Sequence, residues 1–204
     1  MGGDNYHHLV TQCSVPAITI AFGNRHACHY IDAHHKNRSD TDMFQAATIN
    51  SANKADFYGE LSQQLKGLLH GESDTIANAA NTSALMFEMM PDLNWAGFYF
   101  LRSDSELVLG PFQGKAACVR IAVGRGVCGS AVEKGTSILV EDVHAFPGHI
   151  ACDAASRSEL VVPLHHNGKI LGVIDLDSPT ASRFDAEDQA GVEAIARIFV
   201  EASY

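Results

Sequence analysis

The sequence predicts an α+β domain, a mainly antiparallel sheet of about six strands with helices packed on it. Three observations carry this. Apolar residues recur at three- and four-residue steps in two stretches before residue 90, and again after residue 185. Between those stretches the period drops to two, over short runs parted by Ser, Asp, Asn and Gly. Asn167-Gly168 joins two alternating apolar runs, a hairpin signal that makes the pairing antiparallel. Helices followed by strands and a closing helix describe an α+β sandwich in one domain.

The helix that starts near Lys54 places Phe57, Leu61, Leu65 and Leu68 on one face, and Gly71 stops it. A second helix runs from about Asp74 to Met90, with Ile76, Ala80, Leu85 and Met86 as apolar positions and Pro91 as its end. Strands are predicted over Trp95 to Leu101, Glu106 to Pro111 and Ala117 to Val123, the first two joined by Ser103-Asp104-Ser105. Gly126 to Glu133 reads as a short helix and Ser137 to Val140 as a further strand. The hairpin Leu160 to His165 and Ile170 to Asp177 follows. Asp185 to Ala202 closes the chain as an amphipathic helix, with Ser182 or Asp185 near its cap. Residues 1–45 differ from the rest. Six of the eleven histidines fall there, no period is sustained, and the segment reads as a disordered extension before a domain at 46–204.

Composition narrows the function. A formal charge of −10 with no basic run argues against nucleic acid and against an anionic membrane surface. No apolar run has the roughly twenty residues of a membrane span, and no signal peptide is visible at the N-terminus. A cytoplasmic setting is therefore expected. In a reducing compartment, five cysteines are core residues, metal ligands or redox groups. His144, His149 and Cys152 cluster, but without a paired motif or a fourth ligand no structural zinc, and no other metal or cofactor, is expected. Gly124-Arg125-Gly126-Val127-Cys128-Gly129 matches a dinucleotide-binding pattern. It lacks the long helix and parallel strand that the pattern requires, so its glycines are assigned to a tight strand-to-helix turn.

The candidate chemistry centres on Cys152, which lies in an irregular Pro/Gly/His segment just before a strand that opens with Glu159. Asp175 and Asp177 are two apart on the partner strand, so their carboxylates share a face, and Glu159 can join them. Crowded carboxylates raise the pKa of at least one member, which can then supply a proton at neutral pH. Little basic charge is expected beside them. A thiolate near such an acid can attack an electrophilic sulfur, and the sulfenic acid left behind is captured by a second thiol. Cys118 and Cys128 are both candidates for that second thiol.

Five segments together carry a resemblance: Leu107–Cys118 (LVLGPFQGKAAC), Gly126–Gly129 (GVCG), Asp142–Asp153 (DVHAFPGHIACD), Ser156–Glu159 (SRSE) and Gly172–Pro179 (GVIDLDSP). The chain resembles the free methionine-(R)-sulfoxide reductases, single GAF-domain enzymes, over about residues 56–199. The resemblance implies reduction of free methionine sulfoxide of R configuration, with Cys152 as nucleophile, Cys118 as resolving thiol and Cys128 in an auxiliary part. It implies a pocket lined by Glu159, Asp175 and Asp177, with Trp95 and Tyr99 walling the side that holds the methyl group. Trp95 and Tyr99 are four apart on a strand, which agrees with a shared face. The resemblance further implies a thioredoxin-like dithiol reductant and a homodimer. Two other classes compete with it. A ligand-sensing GAF module is usually joined to an output domain, and bilin attachment favours Cys-His where this chain has Cys152-Asp153. A non-catalytic interaction domain would have no need of a cysteine and carboxylate pocket.

Overall fold

The computed structural model describes residues 44–148 and 154–204, which fall in one compact unit, Met43–Tyr204. Residues 1–43 of the expected disordered extension and Cys152 lie outside the described residues, whereas Phe44 packs against the core. The helices are α1 (Lys54–Leu69), α2 (Thr75–Met89), α3 (Gly126–Lys134) and α4 (Ala186–Ser203). The strands are β1 (Trp95–Ser103), β2 (Glu106–Gly114), β3 (Arg120–Ala122), β4 (Ile138–Val140), β5 (Ser158–His166) and β6 (Lys169–Ser178). They form one six-stranded sheet in the order β3-β2-β1-β6-β5-β4, with every pairing antiparallel.

Helix starts follow the side chains available. The carboxylate of Asp74 accepts from the backbone of Ile76 and Ala77, and Asp185 forms a capping box with Asp188. Asp185, not Ser182, is therefore the cap of α4. Each caps donors that would otherwise be unmet at a helix start. Asp188 also ties α1 to α4, since Tyr58 Oη donates to it at 2.8 Å and Lys54 and Arg183 both pair with it.

One face of the sheet buries a core with α1, α2 and α4, in which Phe98, Phe199, Leu61 and Ile174 are fully enclosed. Burying each such side chain stabilises the fold by about 1.5–3 kcal/mol. The opposite face carries α3 and a second cluster that includes Trp95, Tyr99, Val127 and Cys128. Gly129 lets α3 lie against the chain, because a Cβ there would meet the carbonyl oxygen of Ala122 at 2.3 Å. The two glycines preceding it take positive φ, +81° at Gly124 and +60° at Gly126, and make the tight strand-to-helix turn. The helix that follows has nine residues and its neighbours are antiparallel, as the sequence reading required.

Two strands depart from expectation. β2 runs on past Pro111 to Gly114, because residues 110 and 111 fall at a bulge between the Gly97–Phe112 and Tyr99–Leu109 pairs. A proline in a bulge forfeits no ladder hydrogen bond. β3 is three residues long instead of seven, so Cys118 lies in the irregular segment before it and not on the strand. No helix among the described residues is long and apolar enough to cross a membrane.

Candidate active site

Strand register builds the site. Glu159 on β5 faces Asp177 on β6, which faces Trp95 on β1. In the next row Val161 faces Asp175, which faces Gly97. Tyr99 follows on β1, opposite Val173. Alternate residues project to one side, so these rows present three carboxylates and two aromatic rings to the face that carries α3. Gly97 is required here, because a Cβ would stand 2.7 Å from the Trp95 ring and 2.4 Å from Phe112 Cβ. The Trp95 ring stacks on Phe112 and on Tyr99, with centroids 5.2 and 5.9 Å away. Trp95 Nε1 donates to the Lys115 carbonyl at 3.1 Å and Tyr99 Oη to that of Cys118 at 3.0 Å. The aromatic wall thus holds the segment that joins β2 to β3.

These residues line a small, partly open pocket. Trp95, Tyr99, Cys128, Glu159, Asp175 and Asp177 all line it, as do Lys115 and Ser156. Depth sorts the acids. Glu159 and Asp175 are each 6% exposed, whereas Asp177 is half-buried. The Cys128 sulfur and one oxygen each of Glu159 and Asp175 lie within 4.8 Å of one another. A thiol and two carboxylates could hold a metal ion by composition, but their electrostatics also suit a proton store. Burial, then the charge of Asp177, pushes the Glu159 carboxyl well above the usual range. Burial, then Glu159, does the same to Asp175. Burial and the two carboxylates push the Cys128 thiol up, which overrides the acidifying effect of a helix N-terminal turn. Asp175 Oδ1 has no hydrogen-bond partner among the described residues, so a ligand with a donor would satisfy it.

Comparison with known proteins decides between the classes. Residues 80–202 match the GAF domain family. The free methionine-R-sulfoxide reductase of Escherichia coli is 54% identical over 143 residues, 70% of this chain and 86% of that protein. The crystal structure of the free methionine-R-sulfoxide reductase of Neisseria meningitidis with its substrate superimposes with a TM-score of 0.75. It is 43% identical and covers 78% of this chain and 95% of the other. The chain belongs to the free methionine-(R)-sulfoxide reductase family. The GAF domain of a Coxiella burnetii phosphoenolpyruvate-protein phosphotransferase also superimposes, with a TM-score of 0.67 over 74% of this chain and 94% of that one, but at 16% identity it shares the fold alone.

For a member of this reductase family, the pocket joins every site residue expected from the sequence except Cys118, which lies just outside the lining, and Cys152, which lies outside the described residues. The expectation of little basic charge beside the acids needs correction, since Lys115 lines the pocket. Lys115 and Ser156 fall within segments that carry the resemblance, but neither was given a role from the sequence. Only the departure of the chain from β2 at Gly114, where φ is +121°, brings Lys115 to the pocket.

The crowded acids carry a stability cost with a definite sign. A carboxyl whose folded pKa is raised binds more protons folded than unfolded, so stability falls as pH rises from about 4 through the folded value. Asp175→Asn keeps the shape and removes one titrating group. Its Tm should exceed the parent's by more at pH 8 than at pH 5, by about 2–4 °C for each kcal/mol relieved. Thermal melts at the two pH values check this, and a gap independent of pH would contradict it.

Proposed function

We propose that the chain reduces free L-methionine-(R)-sulfoxide to methionine, with Cys152 as nucleophile and a cytoplasmic dithiol protein of the thioredoxin type as final reductant. The observation that carries this reading is the pocket floor. Two enclosed carboxyls, both pushed well above the usual carboxylate range chiefly by burial, stand beside a wall of stacked aromatic rings. A sulfoxide oxygen is a poor leaving group until it is protonated, and Glu159 and Asp175 are placed to supply that proton. The Trp95 and Tyr99 rings offer the methyl group an apolar surface, and the charge on Asp177 at the mouth suits an ammonium group. Ser156 on the pocket wall is four residues from Cys152, a chain length of at most about 14 Å.

The steps balance. The Cys152 thiolate attacks the sulfoxide sulfur while a carboxyl protonates the oxygen. The oxygen passes to cysteine as a sulfenic acid, and methionine leaves with its sulfur reduced. The Cys118 thiol then displaces hydroxide from the sulfenic sulfur, forming a disulfide and water, and an external dithiol reduces that disulfide. Cys128, enclosed and held as a thiol by its acidic neighbours, is suited to the pocket wall and not to this exchange.

A single turnover without reductant tests the scheme. One equivalent of methionine should form per protein from the R epimer, and peptide mapping should find Cys118 linked to Cys152. A dominant Cys128–Cys152 link would reassign the resolving role. No methionine at all would overturn the function.

A further inference from the structure

Resting on the function just proposed, we infer that the segment Lys115–Val119 is the surface on which the dithiol protein docks, and that the partner's thiolate attacks the sulfur of Cys118. The disulfide left by each turnover has to be opened by a thiolate from outside, which must reach one of its two sulfurs. A small pocket lined by acids admits an amino acid but not the face of a second protein. The reductant therefore needs an approach from the surface.

The segment that carries Cys118 offers one. Residues 115–119 read Lys-Ala-Ala-Cys-Val and form neither helix nor strand between β2 and β3. The domain fastens this segment by its carbonyls. Trp95 Nε1 donates to that of Lys115 at 3.1 Å and Tyr99 Oη to that of Cys118 at 3.0 Å. Leu109 N–H on β2 donates to that of Val119 at 3.0 Å. These bonds hold the backbone in place without covering its side chains. Ala116 is exposed, and Val119 is 62% exposed, more than any other large apolar side chain among the described residues. A single exposed valine is ordinary on a protein surface. This one adjoins the half-buried thiol that the reaction oxidises, on a backbone already ordered for a partner. Only small side chains precede Cys118, so little obstructs its sulfur. Lys115 and Arg120 bracket the run with no acid between them, Arg120 being paired with Glu106. Cys128, at 3% exposed, offers no such approach.

The exchange balances. The partner's thiolate bonds to the Cys118 sulfur, the Cys118–Cys152 bond breaks, and its electron pair leaves on Cys152. Cys152 is thus released as the thiolate that begins the next turnover. The partner's second thiol, losing its proton, then attacks the partner's own sulfur in the mixed disulfide. The electron pair leaves on Cys118, which takes up a proton. The protein disulfide has gained two electrons and the partner dithiol has lost them.

Two measurements test this. Oxidised protein is mixed with a thioredoxin whose second active-site cysteine is replaced by serine, and the trapped mixed disulfide is mapped. It should join the partner to Cys118 and leave Cys152 open to a thiol reagent. A partner linked to Cys152 would overturn the point of attack. Val119→Asp then tests the surface, with Ile76→Asp on α2, where the parent side chain is 50% exposed, as its control. Val119→Asp should lower kcat/KM for thioredoxin about tenfold or more, because docking would bury an unpaired charge. With dithiothreitol as reductant, and in a single turnover without reductant, it should agree with the parent within about twofold. Ile76→Asp should match the parent in all three assays. Equal losses with both reductants, a like loss in Ile76→Asp, or no loss with thioredoxin would overturn the docking surface. An oxidised parent without a Cys118–Cys152 disulfide would instead refute the scheme on which the inference rests.

Discussion

Cys152→Ser is expected to abolish turnover, leaving less than about 1% of the parent rate. Attack on a sulfoxide sulfur requires a thiolate, and a serine hydroxyl is neither ionised at neutral pH nor a strong nucleophile toward sulfur. The other described thiols cannot take its place. Cys128 is enclosed and its thiol is pushed up by burial and by Asp175 and Glu159, so it holds its proton. Cys118 lies outside the pocket lining. Residual turnover above a few per cent would mean that a different thiol begins the reaction.

The second large effect concerns the carboxylates. Glu159→Gln removes a proton donor from the pocket floor, and general acid catalysis is worth about 10²–10⁴ in rate, so kcat should fall at least a hundredfold. Asp177→Asn keeps size but removes charge at the mouth. The forfeited charge-assisted bond of about 1.5–3 kcal/mol should raise KM roughly ten- to a hundredfold. In both variants Cys152 should still react with a thiol reagent, which separates lost chemistry from a lost fold. Unchanged kcat in Glu159→Gln would remove the acid from the mechanism.

Most of the architecture was legible because its signals are local. The Leu61/Leu65 face of α1, the capping box of α4 and the Asn167-Gly168 hairpin each depend on a few adjacent residues. The site was legible through parity: Asp175 with Asp177, and Trp95 with Tyr99, share a face whenever their strands form. Two features were not. The alternation at Ala117 to Val123 predicts a strand, but Lys115, Ala116 and Ala117 are drawn off to wall the pocket, and only Arg120–Ala122 pairs with β2. The depth order of the acids also depends on long-range packing. Glu159 and Asp175 are enclosed and Asp177 is half-buried although Glu159 and Asp177 face each other in one row, so the order is set by packing beyond the sheet, and no local pattern encodes that.

The central claim is that this pocket takes a free amino acid by its charged end and reduces its R sulfoxide. The most direct measurement is kcat/KM, in an assay coupled to dithiol oxidation, for three substrates on one enzyme preparation: L-methionine-(R)-sulfoxide, its S epimer and N-acetyl-L-methionine-(R)-sulfoxide. The R epimer should be reduced and the S epimer should not. Acetylation removes the ammonium, so kcat/KM should fall about ten- to a hundredfold from that lost bond, with crowding adding to the loss. Equal rates on the free and acetylated substrates would contradict recognition of the amine by the carboxylates, and with it this account of the pocket.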